Sequence, residues 1–196
     1  MNIRVAATTA MALTALLALT GCTAAMTQTG QSPASGPTDS VLVTDANNAD
    51  VMFTVMMIPH HEQAVEMADM LIAKNGVDDQ VLALAEDIKA AQGPEITLMS
   101  GWLDDWGIDS ESGMAGMNHG DGMMTDTDMS DLESATGDEA SRLFLEQMIV
   151  HHEGAIDMAL VEAEGGQNTE VLALAQQIID AQTAEITVMR DILSTL

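Results

Sequence analysis

From Asp45 onward, apolar residues recur at three- and four-residue spacing, the period of a helix with one buried face. Val51, Val55, Ile58, Val65, Leu71 and Ile72, with Met residues between them, mark the first such stretch. Asn47 or Asn48 is placed to cap it and Asn75-Gly76 to end it. Pro59 falls inside the pattern, where its missing N–H predicts a kink just before His60. A second stretch starts behind Asp78. It runs through Val81-Leu82-Ala83-Leu84-Ala85, Ile88, Ile96, Met99 and Leu103 to about Trp106, with Gly93-Pro94 predicting a bend. A third spans Asp138 to about Glu164 and stops at Gly165-Gly166, and a fourth runs from about Thr169 to the C-terminus. No segment alternates with period two, so the expected fold class is all-α, without a sheet.

The second half of this pattern copies the first. Phe53-x-x-x-Met57-Ile58-x-His60-His61-Glu62-x-Ala64-Val65-Glu66-Met67-Ala68 returns as Phe144-x-x-x-Met148-Ile149-x-His151-His152-Glu153-x-Ala155-Ile156-Asp157-Met158-Ala159. Val81 to Ala85 returns unchanged as Val171 to Ala175, and Gln92-x-x-Glu95-Ile96-Thr97-x-Met99 as Gln182-x-x-Glu185-Ile186-Thr187-x-Met189. Each half is a helical hairpin that leaves an apolar stripe exposed until it pairs with the other, so the two make a four-helix bundle with approximate twofold symmetry. The expected domain covers 45–196: repeat one at 48–106, a Met/Gly-rich linker at 107–137 and repeat two at 138–195. That linker is long for a bundle and low in branched apolar residues, which marks it as functional or without fixed structure.

Composition changes the picture in three places. Arg4, the apolar small-residue run Val5 to Thr20 and Leu19-Thr20-Gly21-Cys22 read as a bacterial lipoprotein signal over 1–21 with lipid attached at Cys22. Residues 22–44, rich in Thr, Ser, Gly, Pro and Gln, read as a tether. The expected location is therefore extracytoplasmic, held at the bacterial membrane by the lipid. Cys22 is the only Cys, so no disulfide staples the mature domain. Thirty-one acidic residues face five basic ones, a net charge of -26. That balance excludes nucleic acid as a partner, keeps the chain soluble and enriches cations around it. Finally there are 17 Met but only two Trp, two Phe and no Tyr, so Met must fill part of the core. Met52, Met70 and Met99 are expected there.

The remaining Met and the His residues can do more. At about 100° per residue, His60, Ala64, Met67 and Leu71 share one stripe, as do His151, Ala155 and Met158. Met57-x-x-His60 and Met148-x-x-His151 bring a thioether and an imidazole within reach of one ion, the donors that soft or borderline metals prefer, Cu(I) above all. His61 and His152 stand about 100° round from their neighbours. Glu95 and Glu185 fall on apolar stripes and need partners; each is expected to hydrogen-bond one His of its own hairpin and to orient that ring behind a metal. Met114, Met117, His119, Met123 and Met124, set among Gly, Asn, Asp and Thr, form a second candidate soft-metal segment in the linker. Glu-x-x-His, the di-iron bundle signature, does not occur. No Gly-x-Ser-x-Gly elbow or phosphate loop occurs either, so no catalytic residue is assigned and the chain is not expected to be an enzyme.

The frame Met-x-x-His-His-x-x-Ala-x-x-Met-Ala, with Gln-x-x-Glu-Ile-x-x-Met downstream, resembles the domain-of-unknown-function 305 family over roughly residues 48–193. The resemblance implies a ferritin-like four-helix bundle and an extracytoplasmic copper-binding protein of the CopM type linked to copper tolerance. It implies Met57, His60, His61, Met67, Met148, His151, His152 and Met158 as metal-binding residues. The expected cofactor is copper, foremost Cu(I), with silver or another soft or borderline transition metal as substitutes. The expected partners are the metal ion, the membrane through the lipid, and a copper-handling protein that receives or supplies the ion. Two other readings stay open: an envelope module in which His–Glu pairs only lock the hairpins, and a ferritin-like metal-dependent oxidoreductase.

Overall fold

The computed structural model describes residues 45–109 and 122–196. The signal and tether at 1–44 with Cys22, and the linker residues Met114, Met117 and His119, lie outside them. All described residues belong to one unit. They form five helices and no strand: α1 (Asn48–Ile72), α2 (Asp79–Trp106), α3 (Asp126–Ser134), α4 (Gly137–Gly165) and α5 (Thr169–Leu193). None is long and apolar enough to cross a membrane.

Four of the five helix starts carry a side-chain cap, and α4 starts behind Thr136 without one. Asn47 accepts from the N–H groups of Ala49 and Asp50, while Asp50 reaches back to the Asn47 N–H, a reciprocal box that satisfies the free donors of the first turn. Asp78 and Asn168 cap α2 and α5 by accepting from two backbone N–H groups each, without the reciprocal bond. α1 runs unbroken through Pro59 and α2 through Gly93-Pro94. α2 ends at Gly107, whose φ of 68° is the left-handed conformation that stops a helix.

The bundle is the expected pair of hairpins, α1–α2 and α4–α5. Its core falls into two apolar clusters. One holds Ala64, Met67 and Leu71 of α1 against Phe144, Leu145 and Met148 of α4, with Ile88 and Met189. The other holds Phe53, Val55 and Met57 of α1 against Ala155 and Ala159 of α4, with Met99, Trp102 and Ile178. The early part of α1 thus meets the late part of α4, so these two helices run antiparallel. α2 and α5 flank the same seam. They meet each other loosely, across grooves of about 490 and 530 Å³ that leave Leu98 and Val188 half-exposed.

Two expectations need correction. The linker is not without structure up to residue 137: α3 forms behind a Thr125–Asp128 capping box, with Leu132 and Ala135 buried and Met124 and Met129 packed on the same cluster. Lys74 Nζ donates to the Glu133 carbonyl and Gln147 Nε2 to that of Asp128, fastening the segment to α1 and α4. A few apolar side chains suffice here because the bundle already offers a surface to cover them. Met52, expected as core filler, is 38% exposed, whereas Met99 is buried and Met70 partly so.

The hairpins also hold each other by hydrogen bonds at their turns. Asp50 Oδ1, on α1, accepts from the Gln167 and Asn168 N–H groups at the start of α5. Ser141 Oγ, at the matching place on α4, accepts from the Asp78 N–H at the start of α2. The Asn47 side chain donates to the Gly165 carbonyl at 2.8 Å.

Candidate metal centre

Between the two apolar clusters lies a polar belt. Helical periodicity puts His60 and His151 on the buried stripes of α1 and α4, and the antiparallel crossing brings them face to face. Their ring centroids are 3.8 Å apart at an interplanar angle of 41°. Both rings are buried, His60 with 1% of its surface exposed. None of their four ring nitrogens makes a well-formed hydrogen bond, although the His60 backbone lies near enough to His151 to favour its protonated form. Burial holds the His60 pKa down to about 3, helped by His61 and His152. Burial likewise pushes His151 well below the ordinary imidazole value, with further repulsion from His60, His152 and His61. Both rings are therefore neutral, the state in which an imidazole offers a lone pair.

His61 and His152 turn toward the second helix of their own hairpins. His61 Nε2 lies 2.8 Å from Glu95 Oε2, and His152 Nε2 lies 2.6 Å from Glu185 Oε2. A carboxylate can only accept, so each Nε2 carries a proton; in the neutral form of the ring, Nδ1 then presents its lone pair. Both Nδ1 atoms are buried and without a partner. Gln177 Nε2 donates to Glu95 Oε1 at 3.1 Å and ties that carboxylate to the other hairpin. Gln92 and Gln182, one turn before the two glutamates, are buried with unpaired carbonyl oxygens.

The methionines divide by distance along the helix. Met57 and Met148 are fully buried, one turn from His60 and His151 and on opposite sides of the pair. Met67 is buried and Met158 half-buried, each two turns away, about 10 Å along the axis, in the apolar clusters. Met123 and Met124 are half-buried, and the backbone of Met124 pairs with Gln63 of α1. Among the described residues, no three His, Cys, Asp or Glu side chains surround one point. What converges is imidazole with thioether at the next turn.

The sequence profile of a family described as "Domain of unknown function (DUF305)" matches residues 50–193. The chain belongs to the DUF305 family. A candidate secreted DUF305 protein from Streptomyces coelicolor is 32% identical over 75% of this chain and 93% of its own, with a TM-score of 0.69. A DUF305 fragment from Deinococcus radiodurans is 30% identical over 78% of this chain and 99% of its own, again with a TM-score of 0.69. CopM in its Cu(II)-bound form is 31% identical over 74% of this chain and 96% of its own, with a TM-score of 0.63. CopM has also been solved with Cu(I) and with silver. No curated protein matches the sequence. The DUF305 frame accounts for the histidines, but three further features escaped the sequence reading. These are the burial of Gln92 and Gln182, the buried carboxyl of Glu162, and the roles of Gln63 and Gly154. The last pair was visible as the one non-matching residue inside His-His-Glu-x-Ala.

Proposed function

We propose that this DUF305 chain is an extracytoplasmic, lipid-anchored protein that takes up Cu(I) at the His60–His151 seam, for sequestration or for delivery to a copper-handling partner. One observation carries the reading: four ring nitrogens of two neutral imidazoles lie buried at the centre of the bundle without a well-formed hydrogen bond. Each buried polar group left unpaired costs about 1–3 kcal/mol, a cost that a bound ion offsets at the lone pairs. His60, His151, Met57 and Met148 would hold the ion, with His61 and His152 supplying further Nδ1 donors steadied by Glu95 and Glu185. Met67 and Met158 would pack two turns away on either side of the ion. Imidazole and thioether favour Cu(I) and Ag(I) over the hard ions that carboxylate sites take. CopM solved with Cu(I), Cu(II) and silver supports copper or silver as the class of ion, and the thioethers favour Cu(I) within it. The bound ion is cargo here, and no reaction is required of it. Met114, Met117, His119, Met123 and Met124 would form a second, collecting segment.

Anaerobic titration of the mature domain with Cu(I) against a colorimetric chelator tests this. Wild-type protein should compete for the ion, and His60→Leu with His151→Leu should weaken uptake by more than about 100-fold. In the metal-free protein the same pair of substitutions should leave the melting temperature unchanged or raise it, because it removes unpaired buried nitrogens. If the wild type leaves all Cu(I) with the chelator and the double variant melts lower, His60 and His151 are packing between the hairpins and not a metal site.

A further inference from the structure

The His60–His151 seam has two sides. His61 lies on the α2 side and His152 on the α5 side, where Glu95 and Glu185 meet them. Gln63 is about 160° round α1 from His61, and Gly154 is equally far round α4 from His152. Both therefore mark the opposite side of the seam, at the level of the imidazole pair, and a single stretch of chain crosses between them.

Among the described residues, that stretch is Gly122–Met124. The Gln63 side chain clamps Met124 by its backbone. Nε2 donates to the Met124 carbonyl at 2.9 Å, and Oε1 accepts from the Met124 N–H at 2.7 Å. At the other end, Gly122 has φ +95°, and a Cβ on it would stand 2.8 Å from Gly154 Cα and 2.9 Å from the Val150 carbonyl oxygen. Two glycine backbones thus touch across the turn of α4 that carries His151. The duplicated frame explains the division of labour. His-His-Glu-x-Ala has Gln63 in the first copy and Gly154 in the second. A symmetric seam is crossed by one asymmetric segment, so one copy supplies a two-pronged amide to grip it and the other supplies the space to seat it.

We propose that Gly122–Met124 is a strap across the side of the seam away from Glu95 and Glu185, and that its release sets how fast a small molecule or ion reaches His60 and His151. The role in ion exchange rests on the copper reading above; the role in access does not. Gln63, Gly122 and Gly154 act by positioning the strap and are not ligands. Gln63→Ala removes both hydrogen bonds while leaving a good helix former. Gly122→Ala forces a side chain into a left-handed conformation and against α4.

The test has two readouts. Metal-free protein is treated with diethyl pyrocarbonate, and carbethoxylation of His60 and His151 is followed by peptide mass spectrometry. Separately, Cu(I)-loaded protein is mixed with excess chelator and transfer is timed. In Gln63→Ala, modification of the pair should rise by about tenfold or more, the effect of losing two backbone-directed hydrogen bonds; in Gly122→Ala it should rise too, because the added Cβ displaces the strap from α4. Copper transfer should accelerate by a similar factor, with the equilibrium affinity little changed. Unchanged modification rates in both variants overturn the strap. So does a rise matched by faster amide exchange all along α1 and α4, since that reports a loosened bundle. Faster modification in a protein that takes up no Cu(I) supports the strap and sinks the copper reading alone.

Discussion

Glu162 shows how much one side chain can depart from its surroundings in sequence. It is 1% exposed, on the last turn of α4, pressed against Gly166 and close to Asp50. Burial first, and then the neighbouring Asp50, holds its pKa up to about 8. Burial would raise Asp50 as well, but the N–H groups of Asn47, Asn168 and Gln167 outweigh it and hold Asp50 below the ordinary carboxylate value. The folded chain therefore binds the Glu162 proton more tightly than the unfolded chain does. The stability it contributes is complete below the ordinary Glu value and is lost as pH rises toward about 8. Between those limits the slope is at most about 1.4 kcal/mol per pH unit. Urea midpoints at pH 5 and pH 8 should differ in wild type and converge in Glu162→Gln; equal midpoints in wild type would show that the carboxyl is ionised throughout. None of this is legible locally, because Glu162 stands among Val161, Ala163 and Glu164 like any acid near a helix end. The other hairpin has Leu71 at the matching position, and that mismatch is the only hint. The His–Glu pairs were easier to see, since Glu95 and Glu185 interrupt apolar stripes.

At the scale of elements, the four long helices follow from spacing within a few residues, and the starts of all but α4 also from caps, which are local chemistry. α3 is the exception. Its nine residues bury only Leu132 within the helix itself, and that face is recognisable only once α1 and α4 are present to receive it. If α3 is part of the domain, Leu132→Ala should lower stability by about 2–5 kcal/mol in chemical denaturation, the cost of a buried Leu. A loss below about 0.5 kcal/mol, as at an exposed site, would show that α3 only rests on the bundle. The same packing bounds any attempt to shorten the linker. A deletion through Met129 would remove the α3 cap and two packed methionines, so it cannot serve as a neutral test of metal binding in the loop.

At the scale of the molecule, duplication made the architecture legible from sequence, because two copies of one stripe can bury each other in few ways. What the repeat did not show is where the copies differ for a reason. Gln63 against Gly154 and Leu71 against Glu162 gain meaning only from neighbours distant in sequence. The clasp formed by Asp50 on Asn168 and by Ser141 on Asp78 carries a consequence of its own. Each half closes the other's turn, so neither half is self-sufficient, and a lone ancestral hairpin would have needed a twin. Polypeptides 45–109 and 122–196, made separately, should each lack stable helical circular dichroism and regain it on mixing. A cooperative melt from either one alone would show that the halves are independent. The same reciprocity leaves the chain open to barter: two copies can trade hairpins and keep every contact of the monomer. The stretch between α2 and α4, long as it is, therefore also sets how readily one molecule becomes half of another.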